Sequence, residues 1–250
     1  MSTPIRVTVW NEFRHERSEA HIKAIYPEGL HKAIADFLSK NEDMVVRTAV
    51  LDDPDQGLPD DVLENTDVLL WWGHLAHGAV DDALVAKIRD RVYLGKMGFV
   101  ALHSAHHSKP FKAIVGTNGN LQWGRNQKAI VWNLLPGHPI TAGIPDHFCL
   151  DCEEMYSEPF YIPQPDELLF TTWYEDGNVF RSGATFHRGA GKVFYFQPGH
   201  EECPTYYNPI VQRVITNAVY WAKPNEIPFN ITAGCPHIIT PIRDEFNKAE

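Results

Sequence analysis

Histidine follows a short apolar, strand-like run at four places in this chain of 250 residues. Val7-Thr8-Val9-Trp10 leads into Asn11, Glu12 and His15, and Val68-Leu69-Leu70-Trp71-Trp72 into His74 and His77. Phe99-Val100-Ala101-Leu102 leads into His103, His106 and His107, and Val193-Phe194-Tyr195-Phe196 into His200 and Glu201. In an open parallel sheet the carboxyl ends of the strands share one edge, and ligands bind in the crevice outside it. If the four runs are parallel neighbours, imidazoles and carboxylates far apart in sequence meet at one mouth. Such a mixture can ligate a divalent cation or move protons.

His74 and His77 are three apart, as are His103 and His106, while His103 and His107 are four apart. On a helical turn either spacing puts both rings on one side. No H-E-x-x-H is present, so the metal signal is one of convergence and not of a single motif. Ser104 comes after the fourth run, where α/β hydrolases place a nucleophile, but Leu102 and His106 stand where G-x-S-x-G needs glycine. His103 holds the elbow position and is expected to aim its ring at the mouth. Glu153, Glu154 and Tyr156 offer carboxylates and a phenol. Alternation along a strand would send the two glutamates to opposite faces, so at most one is expected in the site. Trp123 with Arg125, and Tyr206 with Tyr207, could stack on a sugar or another flat polar ligand. Cys149 and Cys152 form a C-x-x-C, with Cys203 and Cys235 standing alone. No helix start precedes the C-x-x-C and no second one exists, so these read as free, half-buried thiols in a reducing compartment.

The elements that must position these groups alternate in the first half. Strands are expected at Ile5–Trp10, Met44–Val50, Asp67–Trp72 and Gly98–Leu102, with helices over Leu30–Leu38 and Ala79–Val92. Ser108-Lys109-Pro110 interrupts the chain after the fourth strand. Strand–helix–strand units of this kind require right-handed crossovers and give an α/β fold, a doubly wound parallel sheet covered on both faces. Residues 116–180 are rich in Gly, Pro, Asn and aromatics and predict an irregular, partly antiparallel β-containing insertion. The chain then returns through a strand at Val193–Phe196 and a helix at Pro209–Trp221. No internal repeat or low-complexity linker divides residues 1–250, so one domain is expected, with the tail 223–250 packing on the surface or on another subunit of a homo-oligomer.

A net charge of −10 and the lack of clustered Lys and Arg argue against nucleic-acid partners. No segment approaches the apolar length of a membrane span and no secretory pattern opens the chain, so a cytoplasmic protein without membrane partners is expected.

Together, Gly98-Phe99-Val100-Ala101-Leu102-His103-Ser104-Ala105, Glu153-Glu154-Met155-Tyr156, and Gly189 to Tyr195 with Gly199-His200 beyond it resemble the trehalose-utilisation (ThuA-like) family. Trp10-Asn11-Glu12-Phe13-Arg14-His15-Glu16 and Trp72-Gly73-His74 are compatible with a branch of it, and the resemblance spans roughly residues 5–222. It implies a flavodoxin-like sheet similar to class I glutamine amidotransferases. His103 stands where an amidotransferase carries its cysteine, and Gln197-Pro198-Gly199-His200-Glu201 displaces the histidine of the usual His-Pro-Glu. None of the four cysteines falls at an elbow, so glutaminase chemistry is not expected. The family is associated with uptake and breakdown of disaccharides, including keto sugars, which implies a small-molecule sugar substrate.

These readings combine into one expectation. His74, His107 and His200 hold a divalent metal such as zinc, and no nucleotide cofactor is used. His103 and Glu154 handle protons, while Glu12, His15, Tyr156, Trp123 and Arg125 contact substrate. Hydrolysis, isomerisation and epimerisation of a keto sugar all remain open. The rivals are a sugar-binding or regulatory protein that keeps the pocket without turnover, and a metal-free hydrolase using Ser104.

Overall fold

The computed structural model describes residues 3–225. The tail expected to pack on the surface or on a second subunit falls, from residue 226 onward, outside the described residues, as does Cys235.

In chain order the elements are β1 (Ile5–Asn11), α1 (His15–Ser18), α2 (Ala20–Ile25), α3 (Leu30–Leu38), β2 (Met44–Val50) and α4 (Asp60–Glu64). Next are β3 (Val68–Trp72), α5 (Asp82–Tyr93), β4 (Gly98–Leu102) and α6 (Lys109–Val115). Then come β5 (Gln122–Asn133), β6 (His147–Ser157), β7 (Glu167–Tyr174), β8 (Val179–Arg188), β9 (Gly191–Phe196) and α7 (Pro209–Ala222). All nine strands form one sheet in the order β2-β1-β3-β4-β9-β8-β7-β5-β6.

Strands β2, β1, β3, β4 and β9 are mutually parallel. Their register places Asn11 beside Trp72, Trp72 beside Leu102, and Leu102 beside Phe196. The four histidine-bearing segments therefore leave the sheet side by side. β3 and β4 are buried along their whole length, as a central parallel strand covered on both faces must be. Trp71 stacks on Trp10 with ring centroids 3.7 Å apart, whereas the Trp72 indole, on the opposite face, donates to the Gly199 carbonyl at 3.1 Å.

Local chemistry sets the helix boundaries. Asn208 accepts from the backbone N–H of Ile210 and Val211 while Pro209 opens α7, the preferred capping arrangement. Ser108 caps α6 by accepting from Phe111, and Gly116 ends it in the left-handed region. The Ser108-Lys109-Pro110 interruption is thus a helix start.

Residues 116–180 are more regular than their composition suggests. β5 to β8 are full strands that extend the same sheet as an antiparallel wing. β5 alternates buried and outward positions from Gln127 to Asn133, but the polar Gln127 and Asn133 take buried places, so the two-residue hydrophobic period that would have revealed the strand is absent. Cys152 on β6 forms a disulfide with Cys203 beyond β9. These two are therefore not the free thiols the sequence suggests, and only Cys149 among the described cysteines is free. The bond is invisible locally because it joins segments 51 residues apart. Disulfides persist in oxidising surroundings, so this bond lends the expected reducing compartment no support. No helix among the described residues is long and apolar enough to cross a membrane.

Candidate active site

The turn after β4 carries the central group. His103 takes a left-handed conformation (φ 52°), which costs a non-glycine residue on the order of 1–3 kcal/mol and marks a turn held by its surroundings. Its Nδ1–H donates to the Gln197 carbonyl at 3.0 Å. That bond turns Nε2 toward Glu154, 3.1 Å from Oε2, and toward the Tyr156 hydroxyl at 3.4 Å. One donor atom each from His74, His103, Glu154 and His200 lies within 4.8 Å of all the others. The site thus joins three strand ends of the parallel half to β6 of the wing.

The two neighbouring glutamates flank His103 from opposite sides of its ring, and only Glu154 joins the four-donor cluster. Glu153 Oε1 lies 3.7 Å from its Nδ1 and Glu154 lies at Nε2 on the other side of the ring. Glu153 and Glu154 pair in regular succession with Gln127 and Asn126, so their side chains leave β6 on opposite faces. Glu153 accepts from the backbone N–H of Gly199 and His200, both at 2.9 Å, and from the Thr205 hydroxyl at 3.0 Å. It therefore grips the loop that carries His200. Gly199 suits that loop: its φ is +144° and a Cβ would fall 2.2 Å from the Tyr206 hydroxyl.

The electrostatics arise from burial and crowding. Burial opposes charge on His103, but the carboxylates of Glu154, Glu153 and Glu201 outweigh it and push its pKa up to about 9. Burial pushes Glu153 up to about 7, against the pull of His103 and its three donors. For Glu154 burial is outweighed by His103, which holds the carboxyl below its usual range. Burial and the charge of His103 lower His200 to about 4.

A cavity of about 280 Å³ opens beside the cluster, lined by His74, Glu154 and Tyr156 on one side and by His77, Ser104, His106, His107, Asn120, Leu121 and Trp123 elsewhere. His106 donates through Nδ1 to the Gly119 carbonyl at 2.7 Å. Burial holds His106 and His107 below the usual imidazole range and takes His77 to about 3, the neighbouring cations adding to it. Trp123 is 72% exposed at the rim. Among the described residues no lysine or arginine lines the cavity.

The other expected residues take varied positions. His107 stands apart from the four gathered donors, with its ring 5.6 Å from that of His77. The His103–His107 turn is a 3₁₀ helix; with three residues per turn, a spacing of four carries the side chain off the inward face. Glu12 is buried, and its two oxygens accept from the backbone N–H of Leu75 and Ala76 at 2.7 and 2.8 Å. It holds the loop that bears His74 and does not line the cavity. His15 lies with Nδ1 2.6 Å from Glu201 Oε1. Arg125 is exposed and away from the cavity. Ser104 donates to the Gly73 carbonyl at 2.7 Å. The combined expectation from the sequence assigns no role to His106, Glu153 or Glu201, though each stands among the residues the sequence singles out. Glu201 adjoins His200 and lies beyond an apolar strand, which is the available signal for it.

The parallel order, the elbow after β4 and the histidine-bearing loops define a protein with the class I glutamine amidotransferase-like architecture. The trehalose-utilisation (ThuA) family matches residues 6–222, and the chain belongs to it. Among solved structures, a ThuA-like protein from Parabacteroides merdae is 14% identical, with a TM-score of 0.68 over 91% of this chain and 93% of that one. A ThuA-like protein from Bacteroides uniformis is 16% identical, with a TM-score of 0.62 over 88% and 92%. A glutamine amidotransferase from Thermotoga maritima is 10% identical, with a TM-score of 0.53 over 87% and 97%. At these identities the likeness concerns the fold alone. No curated protein matches the chain.

Proposed function

We propose that this protein is a divalent-cation-dependent enzyme acting on a sugar or keto-sugar derivative in disaccharide utilisation. Family membership supports the sugar-utilisation role, and the cation reading rests on the buried cluster. His74, His103, Glu154 and His200 are the proposed ligands. The donor set of imidazoles and a carboxylate suits zinc and similar ions, whose tetrahedral ligands stand about 3.4 Å apart at the usual bond lengths. The 4.8 Å limit on the cluster's spread leaves only a small contraction.

The carrying observation is an excess of buried acid. Among the described residues, Glu153, Glu154 and Glu201 form no ion pair with Lys or Arg, only contacts with histidine. Glu154 Oε2 and His200 Nδ1 are buried without an aligned hydrogen-bond partner. Buried charge is retained where it is paired or coordinates a metal. A cation held there polarises a carbonyl or acidifies a water.

The remaining residues bind and orient. Tyr156, Ser104 and the uncharged His106 present hydroxyl and imidazole groups to the hydroxyls of a sugar. Trp123 offers an exposed ring to an apolar sugar face. Glu154 lines the cavity and stands where a proton would be exchanged with a bound substrate, whereas the fully buried His103 acts on that substrate only through Glu154 and Tyr156.

The test combines elemental analysis of untagged protein with turnover of trehalose and its keto derivative before and after chelation. Retained divalent metal, activity lost to chelator and activity restored by the ion are expected. Metal-free protein with chelator-insensitive turnover contradicts the proposal. Tight sugar binding without conversion transfers support to a sugar-binding or regulatory role.

A further inference from the structure

Glu201 is 2% exposed and lies in the loop after β9. Its Oε1 is 2.6 Å from His15 Nδ1, and its Oε2 is 3.4 Å from both His74 Nδ1 and His200 Nε2. Those three imidazoles come from the start of α1, which follows β1, and from the loops after β3 and β9, so one carboxylate ties together three strand ends. The rings of His15 and His74 meet edge to face with centroids 5.3 Å apart. Glu201 does not line the cavity, and any effect on substrate must pass through the histidines. Its Oε2 is buried without an aligned donor, a costly placement for a charge unless the surrounding groups require it.

Histidines that bind metals are commonly oriented by a carboxylate, and removing that partner typically costs 10–100-fold in affinity. We infer that Glu201 is the positioning residue of the cation site, fixing the ring of His74 through its Nδ1 and being fixed in turn by His15. The inference rests on the proposed cation reading of the four-residue cluster. It also gives His15 a task that contact with a sugar does not require: holding the carboxylate from the outer side.

The experiment uses the full chain, stripped of metal and titrated with zinc(II) against a competing chelator, and separately with cobalt(II) monitored by its visible absorption. Glu201→Gln should weaken zinc binding by about 10–100-fold and alter the cobalt(II) spectrum, and Glu201→Asp should recover part of both. His15→Gln should weaken binding less. The double variant should be no weaker than Glu201→Gln alone, because the two residues act in series. His15 is the more exposed partner, so His15→Gln carries the test if the Glu201 variants fail to fold. Wild-type uptake with unchanged affinity and spectrum in Glu201→Gln overturns the inference, as does full additivity in the double variant or an unchanged affinity in His15→Gln. Wild-type protein that takes up neither ion overturns the cation reading itself, and the inference with it.

Discussion

The parallel half and the antiparallel wing contribute to the site by different means. In the parallel half, register brings the histidine-bearing loops to one edge, because β1, β3, β4 and β9 end there, and Glu12 and Glu153 then hold two of those loops. The wing contributes Glu153, Glu154 and Tyr156 from one strand, β6, with Glu154 and Tyr156 on the cavity side and Glu153 turned to the loop after β9. The loops of the parallel half are placed by the whole sheet. A donor on the wing depends on whatever holds β6 against the β9 loop. Two features do so: the hydrogen bonds of Glu153 and the Cys152–Cys203 bond.

The sharpest way to break this arrangement is to cut that bond. Closing a loop of 51 residues stabilises by about 4 kcal/mol in the chain-entropy account. Denaturant unfolding of Cys152→Ser/Cys203→Ser, or of the reduced protein, should show a loss of that order. A loss below about 1 kcal/mol would mean that the wing is held without it.

Acid should separate the two halves next. Burial lowers His31, packed behind β1, to about 4 from its ordinary 6.5. The unfolded chain therefore binds this proton more readily than the folded one. Stability is full above about pH 6.5 and falls as the pH drops toward 4, by up to about 3 kcal/mol from this group. His31→Gln should flatten that part of the pH–stability curve. An equal slope in wild type and variant would remove His31 as the cause.

The wing's corresponding group acts lower and more weakly. Burial would raise Glu158, but Arg181, at 2.7 and 2.9 Å, holds its carboxyl below the usual value of 4.5. Its contribution is present above about pH 4.5 and lost as the pH falls through the depressed folded value. The pair is partly exposed, so Glu158→Gln should cost only about 1 kcal/mol at neutral pH. Hydrogen exchange at pH 5 should then show the amides around β1 and α3 opening before those of β7 and β8. Simultaneous opening would erase the distinction between the halves.

The same contrast explains what can be read from the sequence. Short apolar strands flowing into histidine announce both a parallel sheet and its rim, so the α/β fold and the meeting of His74, His103 and His200 are legible. His107 groups with them only under α-helical spacing; the tighter 3₁₀ turn sends it toward His77 instead. A carboxylate near a rim invites a substrate-binding reading, as Glu12 does, whereas its oxygens are used by the backbone of Leu75 and Ala76. Glu201 is signalled only by its place beside His200 at a strand end, and the roles of Glu153 and Glu201 depend on what lies opposite them in space. The disulfide and the long strands of the wing are hidden for the same reason, with the polar Gln127 and Asn133 at buried places masking the period of β5.

Anomalous diffraction at the zinc edge from crystals of the zinc-loaded chain tests the central claim most directly. The account predicts one strong peak among His74, His103, Glu154 and His200. No bound zinc there, or a peak beside His77 and His107 instead, would contradict it.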